Sequence, residues 1–222
     1  MINSKISSRL KYIANEIGQV DSFADIGTDH GLLAIYALQH NISKKVIATD
    51  ISQKSLNKAK KNIEAIGLSE YVEFYQGDGI DALPFIPQTI VIAGMGGLEI
   101  IKIISKYPKV NSRFVLLPHQ DVRQVREFLI YNQYRICKDY VIYDRKFYNI
   151  IVAEVGTSSY TQSEIILGKN FPQTDEFSSY INYRKHQIDN ILDKNEVSYQ
   201  NLKEELREEY VEILKWLKLQ KS

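Results

Sequence analysis

The stretch FADIGTDHGLLAIYAL, residues 23–38, decides the fold that this sequence encodes. Its apolar start is typical of a buried strand, its glycines of a tight turn, and its apolar end of a helix. A doubly wound α/β protein meets a nucleotide cofactor at such a turn. The dinucleotide fingerprint needs a small residue where Asp29 stands, because a pyrophosphate must press against the helix N-terminus. A carboxylate there repels phosphate, so we predict a nucleotide-like ligand without phosphates.

Strand and helix signals alternate on both sides of this stretch. A helical apolar stripe precedes it and ends near Gly18. Ser52 and Asp121 are predicted N-caps of two later helices. Strands are predicted at 23–26, 45–49, 72–75, 89–93 and 114–117, and a closing pair at 134–143 and 147–155. Only three residues separate the closing pair, which predicts an antiparallel hairpin. The pattern therefore predicts an α/β protein whose Rossmann-like sheet has five parallel strands plus a terminal antiparallel hairpin.

The composition changes after Gly156, where a polar stretch leads into two helical stripes on either side of Asn195. The first stripe consists of Phe177, Ile181, Arg184, Ile188 and Ile191. The second consists of Tyr199, Leu202, Leu206, Tyr210, Ile213 and Leu217. Two such stripes can pair as an antiparallel helical hairpin with coiled-coil-like packing. We therefore predict two domains, residues 1–156 and 157–222.

Composition narrows the class of protein. The chain of 222 residues has 28 Lys and Arg against 27 Asp and Glu, and the net charge of +1 decides nothing about nucleic acid. The single cysteine, Cys137, excludes an intrachain disulfide and fits a reducing compartment. No stretch approaches the roughly 20 apolar residues of a membrane span, and no signal peptide is evident. Histidine and cysteine show no metal-ligand spacing. We expect a cytoplasmic protein without a metal or a membrane segment.

Four carboxylates at predicted strand ends point to one ligand. S-adenosylmethionine lacks phosphates and carries a sulfonium and an ammonium that Asp29 can attract. Asp50 can accept from the ribose hydroxyls, Asp78 from the adenine amino group, and Asp25 from the ammonium. Each also has a plainer interpretation, in which Asp25 braces the turn, Asp50 caps a helix and Asp78 is a turn residue. The predicted cofactor contacts are Asp25, Gly27, Thr28, His30, Gly31, Asp50, Ile51, Asp78, Gly79, Ala93, Gly94 and Met95.

Five motifs carry a resemblance to a known family. In chain order they are DIGTDHGLL, ATDIS, GDGI, IAGMGG and LLPHQ. Together they resemble the bacterial tRNA (adenine-22-N1)-methyltransferases, through specific motifs over about the first 155 residues and more loosely over the tail. The resemblance implies a class I methyltransferase domain followed by a coiled-coil-like domain. It also implies S-adenosylmethionine as methyl donor, tRNA as substrate, and a role in methyl transfer for Asp29.

The turn after the fourth strand bears on the target atom. Residues 93–97 offer no side-chain acceptor and no aromatic, so they lack the clamp that enzymes use to methylate an exocyclic amine. Adenine N1 has a free lone pair at neutral pH and needs only proximity and a negative charge such as Asp29. The glycines admit a base closely, or they serve only a tight turn. The predicted substrate contacts are Gly96, Gly97, His119 and Arg9, although His119 also fits a plain turn histidine.

Contacts to tRNA are less defined by the sequence. Basic residues lie on the first helix, near the second strand and the helix after it, and on a later helix. They are Arg9, Lys11, Lys44, Lys45, Lys54, Lys58, Lys60, Lys61, Arg123 and Arg126, and for most of the lysines a solvated helix surface is the simpler interpretation. Tyr143 and Tyr148 could stack on a flipped base or lie in the core. The tail fits a shape-reading arm or a protein-interaction hairpin. A methyltransferase for another substrate and an RNA-binding scaffold without catalysis stay open, and a monomer is favoured.

Overall fold

The computed structural model describes residues 6–107, 110–194 and 203–220. Its centre is a seven-stranded mixed sheet in the order β3-β2-β1-β4-β5-β7-β6. The strands are β1 (Val20–Ile26), β2 (Ser43–Asp50), β3 (Val72–Gln76), β4 (Thr89–Ala93), β5 (Arg113–Leu117), β6 (Tyr134–Asp144) and β7 (Lys146–Val155). Strands β1 to β5 pair in parallel, whereas β7 pairs antiparallel with both β5 and β6. The predicted Rossmann-like α/β architecture is confirmed.

Helices cover both faces of the sheet. They are α1 (Ser8–Ile17), α2 (Leu32–Gln39), α3 (Gln53–Glu64), α4 (Gly97–Ser105) and α5 (Val122–Tyr131). One core lies between the sheet and α1, α2 and α3, and a second lies between the sheet and α4 and α5. Strand β4 is covered on both faces, because Ile90, Val91 and Ile92 are fully buried and point to alternating faces of the sheet. A parallel strand covered on both faces must be apolar throughout, which is why this one is a continuous apolar run.

The predicted helix caps have different outcomes. The Ser52 hydroxyl accepts from the N–H of Ser55 at 3.3 Å, so Ser52 is the N-cap of α3 as predicted. The capping role of Asp121 is wrong. Asp121 occupies the position before α5, but its backbone is left-handed with φ of 55° and its side chain makes no cap hydrogen bond. A capping side chain needs an extended backbone at that position to reach the first turn.

The tail contains three helices in its described part, α6 (Gln162–Leu167), α7 (Glu176–Lys194) and α8 (Glu204–Leu219). Sequence reasoning missed α6, although Thr161 and Glu164 form a capping box that marks its start. Arg184 pairs with Glu209, and Phe177 packs on Trp216, so α7 and α8 run antiparallel. Asn195, Tyr199 and Leu202, which belong to the predicted stripes and their junction, lie outside the described residues.

The tail helices share a core with the terminal β-hairpin. Val141 of β6 is buried with residues of α6, α7 and α8, namely Leu167, Phe177, Ile181, Ile188 and Ile213. Phe147 of β7 packs against the same cluster. The tail therefore packs at the β6 edge of the sheet, opposite β3, and its apolar surface is buried there.

A buried ion pair holds the same junction. Arg126 donates two hydrogen bonds to Asp139, Nε to Oδ2 at 2.9 Å and Nη2 to Oδ1 at 3.0 Å. The Arg126 guanidinium also donates to the carbonyl of Ile165 at 3.3 Å, and Asp139 accepts from the N–H of Lys169 at 3.1 Å. Arg126 is 1% exposed. The prediction that Arg126 belongs to a basic surface is therefore wrong, because its guanidinium is buried in an ion pair with Asp139 and in hydrogen bonds to the tail backbone.

Candidate active site

The carboxyl ends of four neighbouring strands form the candidate site. Strands β3, β2, β1 and β4 lie side by side and parallel, so the loops that follow them meet at one edge of the sheet. This is the edge where open α/β sheets bind ligands. The N–H groups of Gly27 and Thr28 both donate to the carbonyl of Thr49, at 2.8 and 2.9 Å, and join the first two loops. The predicted cofactor contacts from these four loops therefore share one edge.

Asp25 is the buried carboxyl of this edge. It is 8% exposed and has no ion pair among the described residues. Burial raises the pKa of Asp25 to about 6; the polar side chain of Thr28 works in the opposite direction, and the nearby charge of Asp50 adds to the rise. Thr28 is 3% exposed and lies beneath the turn. A positively charged ligand group placed beside Asp25 would relieve this unfavourable burial of charge.

Two glycines shape the first turn. Gly27 has φ of +80°, and a Cβ there would collide with Cε of Met95. Gly31 has φ of +68°, and a Cβ there would lie 3.0 Å from Cδ1 of Ile63. Both positions favour glycine because a side chain is strained at these angles. The contact with Met95 also places the β4 loop directly against the β1 loop, so the two predicted parts of the site are in contact.

Asp29 lies at the rim of the site. Its side chain is 63% exposed, with Oδ2 3.0 Å from His30 Nε2 and Oδ1 3.6 Å from Lys58 Nζ. The carbonyl of His30 accepts from the side chain of Asn62 at 2.9 Å, which ties the turn to α3. Sequence reasoning missed Lys58 as a partner of Asp29. Asp29 and α3 are more than twenty residues apart in the chain, and only the packing of α3 against Gly31 brings them together.

Asp50 and Asp78 are both partly engaged by the protein. Asp50 accepts from the N–H of Ser52 at 2.7 Å through Oδ1. This contact supports the turn before α3, and Oδ2 makes no hydrogen bond within the described residues. Asp78 accepts from Lys106 Nζ at 2.7 Å, and this contact lowers the pKa of Asp78. Lys106, which also donates to Asp81 at 3.1 Å, was missed because no spacing links it to the GDG turn.

Apolar surface completes this half of the edge. Ile51 is 71% exposed, beside Asp50, and offers a flat apolar contact. Gly79 is buried with φ of +68°, and a Cβ there would lie 2.8 Å from Ile103. Packing against Ile103 thus explains why residue 79 is a glycine, and its contact with a cofactor stays a prediction. Ala93 ends β4 half-buried at the same edge.

The loops after β4 and β5 run side by side beyond the strands. The N–H of Gly94 donates to the carbonyl of Leu117 at 3.1 Å, that of His119 to the carbonyl of Met95 at 2.9 Å, and that of Gly97 to the carbonyl of Gln120 at 3.0 Å. These bonds continue the strand pairing past the sheet. The β5 loop therefore holds its side chains at set positions along the glycine turn.

The glycines of that turn have different neighbours. A Cβ at Gly97 would lie 2.6 Å from the carbonyl oxygen of Asp121, so packing alone accounts for glycine there. A Cβ at Gly96 would meet only the flexible side chain of Gln120, 3.3 Å from Nε2. Gly94 has φ of +89° and lies against the ring of His119. Among the three, Gly96 has the most room for a ligand contact.

A basic cluster formed by Arg9, His119, Lys146 and Tyr148 flanks the turn. Arg9 Nη1 donates to the Tyr148 hydroxyl at 2.8 Å, and Arg9 Cζ and Lys146 Nζ lie 4.8 and 5.0 Å from the centre of the Tyr148 ring. The His119 ring lies 5.9 Å from that of Tyr148. Burial lowers the pKa of His119, and the charges of Lys146 and Arg9 lower it further, so His119 is neutral at pH 7. The structure thus brings the predicted substrate residues Arg9 and His119 together.

The other residues predicted to contact nucleic acid differ in exposure and in ion pairing. Tyr148 is only 8% exposed and belongs to the core, whereas Tyr143 is 55% exposed. Lys44 pairs with Asp21 at 2.7 Å on the opposite side from the site, which agrees with a solvated surface. Arg123 pairs with Glu127 at 2.9 Å and with Glu208. The basic cluster beside the turn is the better candidate for contacting nucleic acid.

A cleft of about 430 Å³ opens from the basic cluster toward the tail helices. His119 and Lys146 line its end nearest the turn, and Tyr183 and Gln187 of α7 line the other. The residues that the structure describes contain no group of three or more His, Cys, Asp or Glu arranged to hold a metal ion. In the same ranges, no helix is both long and apolar enough to cross a bilayer.

The sequence and the fold both have known relatives. The profile of the family described as "Methyltransferase domain" matches residues 6–151. A Mycoplasma pneumoniae protein whose name proposes a tRNA methyltransferase is 33% identical over 186 residues, which cover 78% of this chain and 86% of the relative. The tRNA (adenine(22)-N(1))-methyltransferase of Bacillus subtilis is 32% identical over 157 residues, covering 68% of this chain and 66% of that enzyme.

A solved structure matches nearly the whole fold. The structure of M. capricolum TrmK in complex with the natural cofactor product S-adenosyl-homocysteine superposes with a TM-score of 0.85 at 28% identity. The match covers 96% of this chain and 98% of that one, so it includes the tail helices as well as the sheet.

Proposed function

Since the chain belongs to the TrmK-like tRNA methyltransferases of the methyltransferase domain family, we propose that it methylates tRNA with S-adenosylmethionine as donor. The target is N1 of an adenine, at position 22 by likeness to the Bacillus subtilis relative. One observation carries the proposal: Asp25, Asp50 and Asp78 stand at the ends of three adjacent parallel strands, in a fold shared with a TrmK that holds S-adenosyl-homocysteine. The enzyme acts in the cytoplasm, where tRNA is modified, as a monomer.

The residues at the edge fit this cofactor. The buried carboxyl of Asp25 has no cationic partner in the described part of the chain and suits the ammonium of the amino-acid end. Oδ2 of Asp50, which has no hydrogen-bond partner in the ranges that the structure describes, suits the ribose hydroxyls, and the exposed Ile51 gives the adenine an apolar face. Asp78 would accept from the adenine amino group while it holds Lys106. When bound, S-adenosylmethionine supplies a methyl group on a positively charged sulfur.

The chemistry at the turn favours a ring nitrogen. The glycine turn adds no carboxylate or amide of its own that would bind an exocyclic amine as the methylated group. N1 of adenine attacks with its own lone pair, so no base has to remove a proton first. The positive charge passes to the ring with the methyl group, and the exposed carboxylate of Asp29 stabilises it there. Asp29 is therefore the proposed catalytic residue.

The remaining elements serve the tRNA. Within the basic cluster, Arg9 and Lys146 supply positive charge for the backbone phosphates next to the target base, and both lie against the ring of Tyr148. Residues 157–222 are proposed to form a helical, coiled-coil-like domain that contacts the tRNA rather than the cofactor. The support is the cleft that runs from the basic cluster to α7.

The test is methylation of a defined tRNA. The protein is incubated with labelled S-adenosylmethionine and an unmodified tRNA that has adenine at position 22, and the product is digested to nucleosides. The expected product is 1-methyladenosine, and a tRNA with guanine at that position should give none. Cofactor binding without turnover would instead support an RNA-binding scaffold. Methylation of another molecule would support a different substrate.

The tail is tested in the full chain, because removing it would expose Val141 and the Arg126–Asp139 pair. Amide hydrogen exchange is followed with cofactor alone and with cofactor plus tRNA. We expect tRNA, but not cofactor, to slow exchange in α7 and α8. Protection confined to residues 6–156 would contradict the assigned role of the tail.

A further inference from the structure

Gln120 ends the LLPHQ motif, but no role was predicted for it from the sequence. Its backbone is held beside the glycine turn, because its carbonyl accepts from the N–H of Gly97 at 3.0 Å. Its side chain crosses in front of Gly96, with Nε2 3.3 Å and Cγ 3.7 Å from the place where a Cβ would be. The residue is exposed, and its side-chain amide has no hydrogen-bond partner among the described residues. A primary amide thus stands free at the floor of the proposed base site.

Methylation at N1 limits how an enzyme can recognise adenine. N1 lies on the Watson–Crick edge and must keep its lone pair free for the incoming methyl group. The opposite, Hoogsteen edge stays available, with N7 as acceptor and one hydrogen of the 6-amino group as donor. A glutamine amide matches this edge with two hydrogen bonds, one in each direction. Guanine presents two acceptors on the same edge, so the amide oxygen would face its O6 and reject it.

We propose that Gln120 is the residue that reads the target adenine, donating from Nε2 to N7 and accepting from the 6-amino group at Oε1. This inference rests on the proposed function and specifies its base. It is compatible with Asp29, because the 6-amino group has a second hydrogen that points toward the Watson–Crick edge. Gly96 leaves the space that the base and the amide share, and any side chain there would displace Gln120. His119 is less suited to the task, since its ring lies against Tyr148.

The experiment changes one atom of the base. Two tRNAs are compared, one with adenosine and one with 7-deazaadenosine at the target position, where N7 becomes C–H. The wild-type enzyme should lose about tenfold in kcat/KM on the 7-deaza tRNA, the scale of one hydrogen bond. Gln120→Ala should be slower on adenosine by about tenfold or more and show no further loss on 7-deazaadenosine. Its dissociation constant for S-adenosylmethionine should not change.

Two further variants sharpen the test. Gln120→Glu places a carboxylate oxygen against the N7 lone pair, so this variant should prefer 7-deazaadenosine to adenosine, a reversal that no structural defect produces. Gln124→Ala is the matched control, since Gln124 follows one turn later on α5 and contacts Glu205 at 3.4 Å. It should keep the full wild-type sensitivity to N7.

Each outcome decides the matter. Equal sensitivity to N7 in the wild type and in Gln120→Ala would overturn the assignment of Gln120, even if adenosine is methylated normally. A wild-type enzyme that methylates neither tRNA would overturn the proposed function itself, and the inference with it. Loss of N7 sensitivity in Gln120→Ala together with the reversed preference of Gln120→Glu would establish it.

Discussion

Two buried carboxyl groups, Asp25 and Asp139, have opposite surroundings. Asp139 is 1% exposed and accepts two hydrogen bonds from Arg126, one from the N–H of Lys169 and one from the Tyr160 hydroxyl. Asp25 is 8% exposed and has no ion pair within the described residues. Both groups are removed from water, yet only one is neutralised by the protein.

The difference separates a structural carboxylate, Asp139, from Asp25, which we propose binds a ligand. At the junction with the tail, charge and countercharge come from the same chain, so the pair needs nothing more. At the cofactor edge, the protein leaves a buried carboxyl whose charge is costly until a cation binds. Substitutions at the junction should therefore affect stability first, and substitutions at the cofactor edge should affect binding and catalysis first.

The largest effect is expected at Asp139. Asp139→Ala leaves the Arg126 guanidinium buried without a countercharge, which should lower the free energy of unfolding by about 3–5 kcal/mol. Urea unfolding followed by circular dichroism measures it. Removing both charges with Arg126→Met and Asp139→Leu should cost less than Asp139→Ala alone. Asp21→Ala, which breaks an exposed pair with Lys44, is the control and should cost less than about 1 kcal/mol. A loss at Asp139 as small as the control would remove the contrast.

Asp29 should show the largest effect on catalysis. Asp29→Asn keeps the shape and removes the charge, so single-turnover methylation at saturating cofactor should slow about a hundredfold or more, or roughly 2.7–4 kcal/mol. Cofactor affinity should change much less, since the contact strengthens only as the adenine becomes positive. The opposite result, a weaker cofactor complex with a nearly intact rate, would make Asp29 a binding residue only. Unfolding of Asp29→Asn should match the wild type.

Asp25 should make the cofactor-free protein less stable as pH rises. Its pKa is about 6 in the folded protein against an ordinary value of 3.8, so the folded state holds the proton more tightly than the unfolded chain. The stability contributed by the protonated group is present below about pH 4 and is lost between pH 4 and 6. Asp25→Asn should abolish this loss and raise stability at pH 7 by on the order of 2–3 kcal/mol.

Denaturant unfolding of Asp25→Asn and wild type, compared at pH 4 and pH 7, isolates the contribution of Asp25. Asp21→Asn is the control for a general charge effect, because that carboxylate is exposed. Asp25→Asn should also bind S-adenosylmethionine more weakly, so stability and affinity should move in opposite directions. A stability difference independent of pH would show that folding does not change the pKa of Asp25.

Asp50 should have the smallest effect of the four. Asp50→Ala removes the acceptor proposed for the ribose hydroxyls and should weaken cofactor binding by about 1–3 kcal/mol, as measured by calorimetry. Ser52→Ala is the matched control, since it removes the cap of α3 and should cost about 1 kcal/mol of stability without changing cofactor affinity. Unchanged affinity in Asp50→Ala would leave Asp50 with only its turn contact to Ser52.

The positions of the proposed cofactor-binding carboxylates could largely be predicted from the sequence. Asp25, Asp50 and Asp78 follow apolar runs that could only be buried strands, and parallel strands end at one edge. The residues proposed to contact the substrate could be predicted only in part. His119 follows a strand and was predicted as a substrate contact. Gln120 beside it was not predicted, because its proposed role depends on facing Gly96 from a neighbouring loop. Lys58 and Lys106 were missed for the same reason.

The sequence by itself determined the alternation of strands and helices, the glycine turns, and the position of Asp29, whose carboxylate repels phosphate. Apolar periodicity and turn chemistry act over a few residues and are visible in the chain. Only the tertiary structure decided which charges are neutralised. Arg126 was predicted on the surface and lies buried against Asp139, while Asp25 lies buried with no countercharge among the described residues. Burial and ion pairing depend on which distant segments pack together, and that is a property of the folded chain.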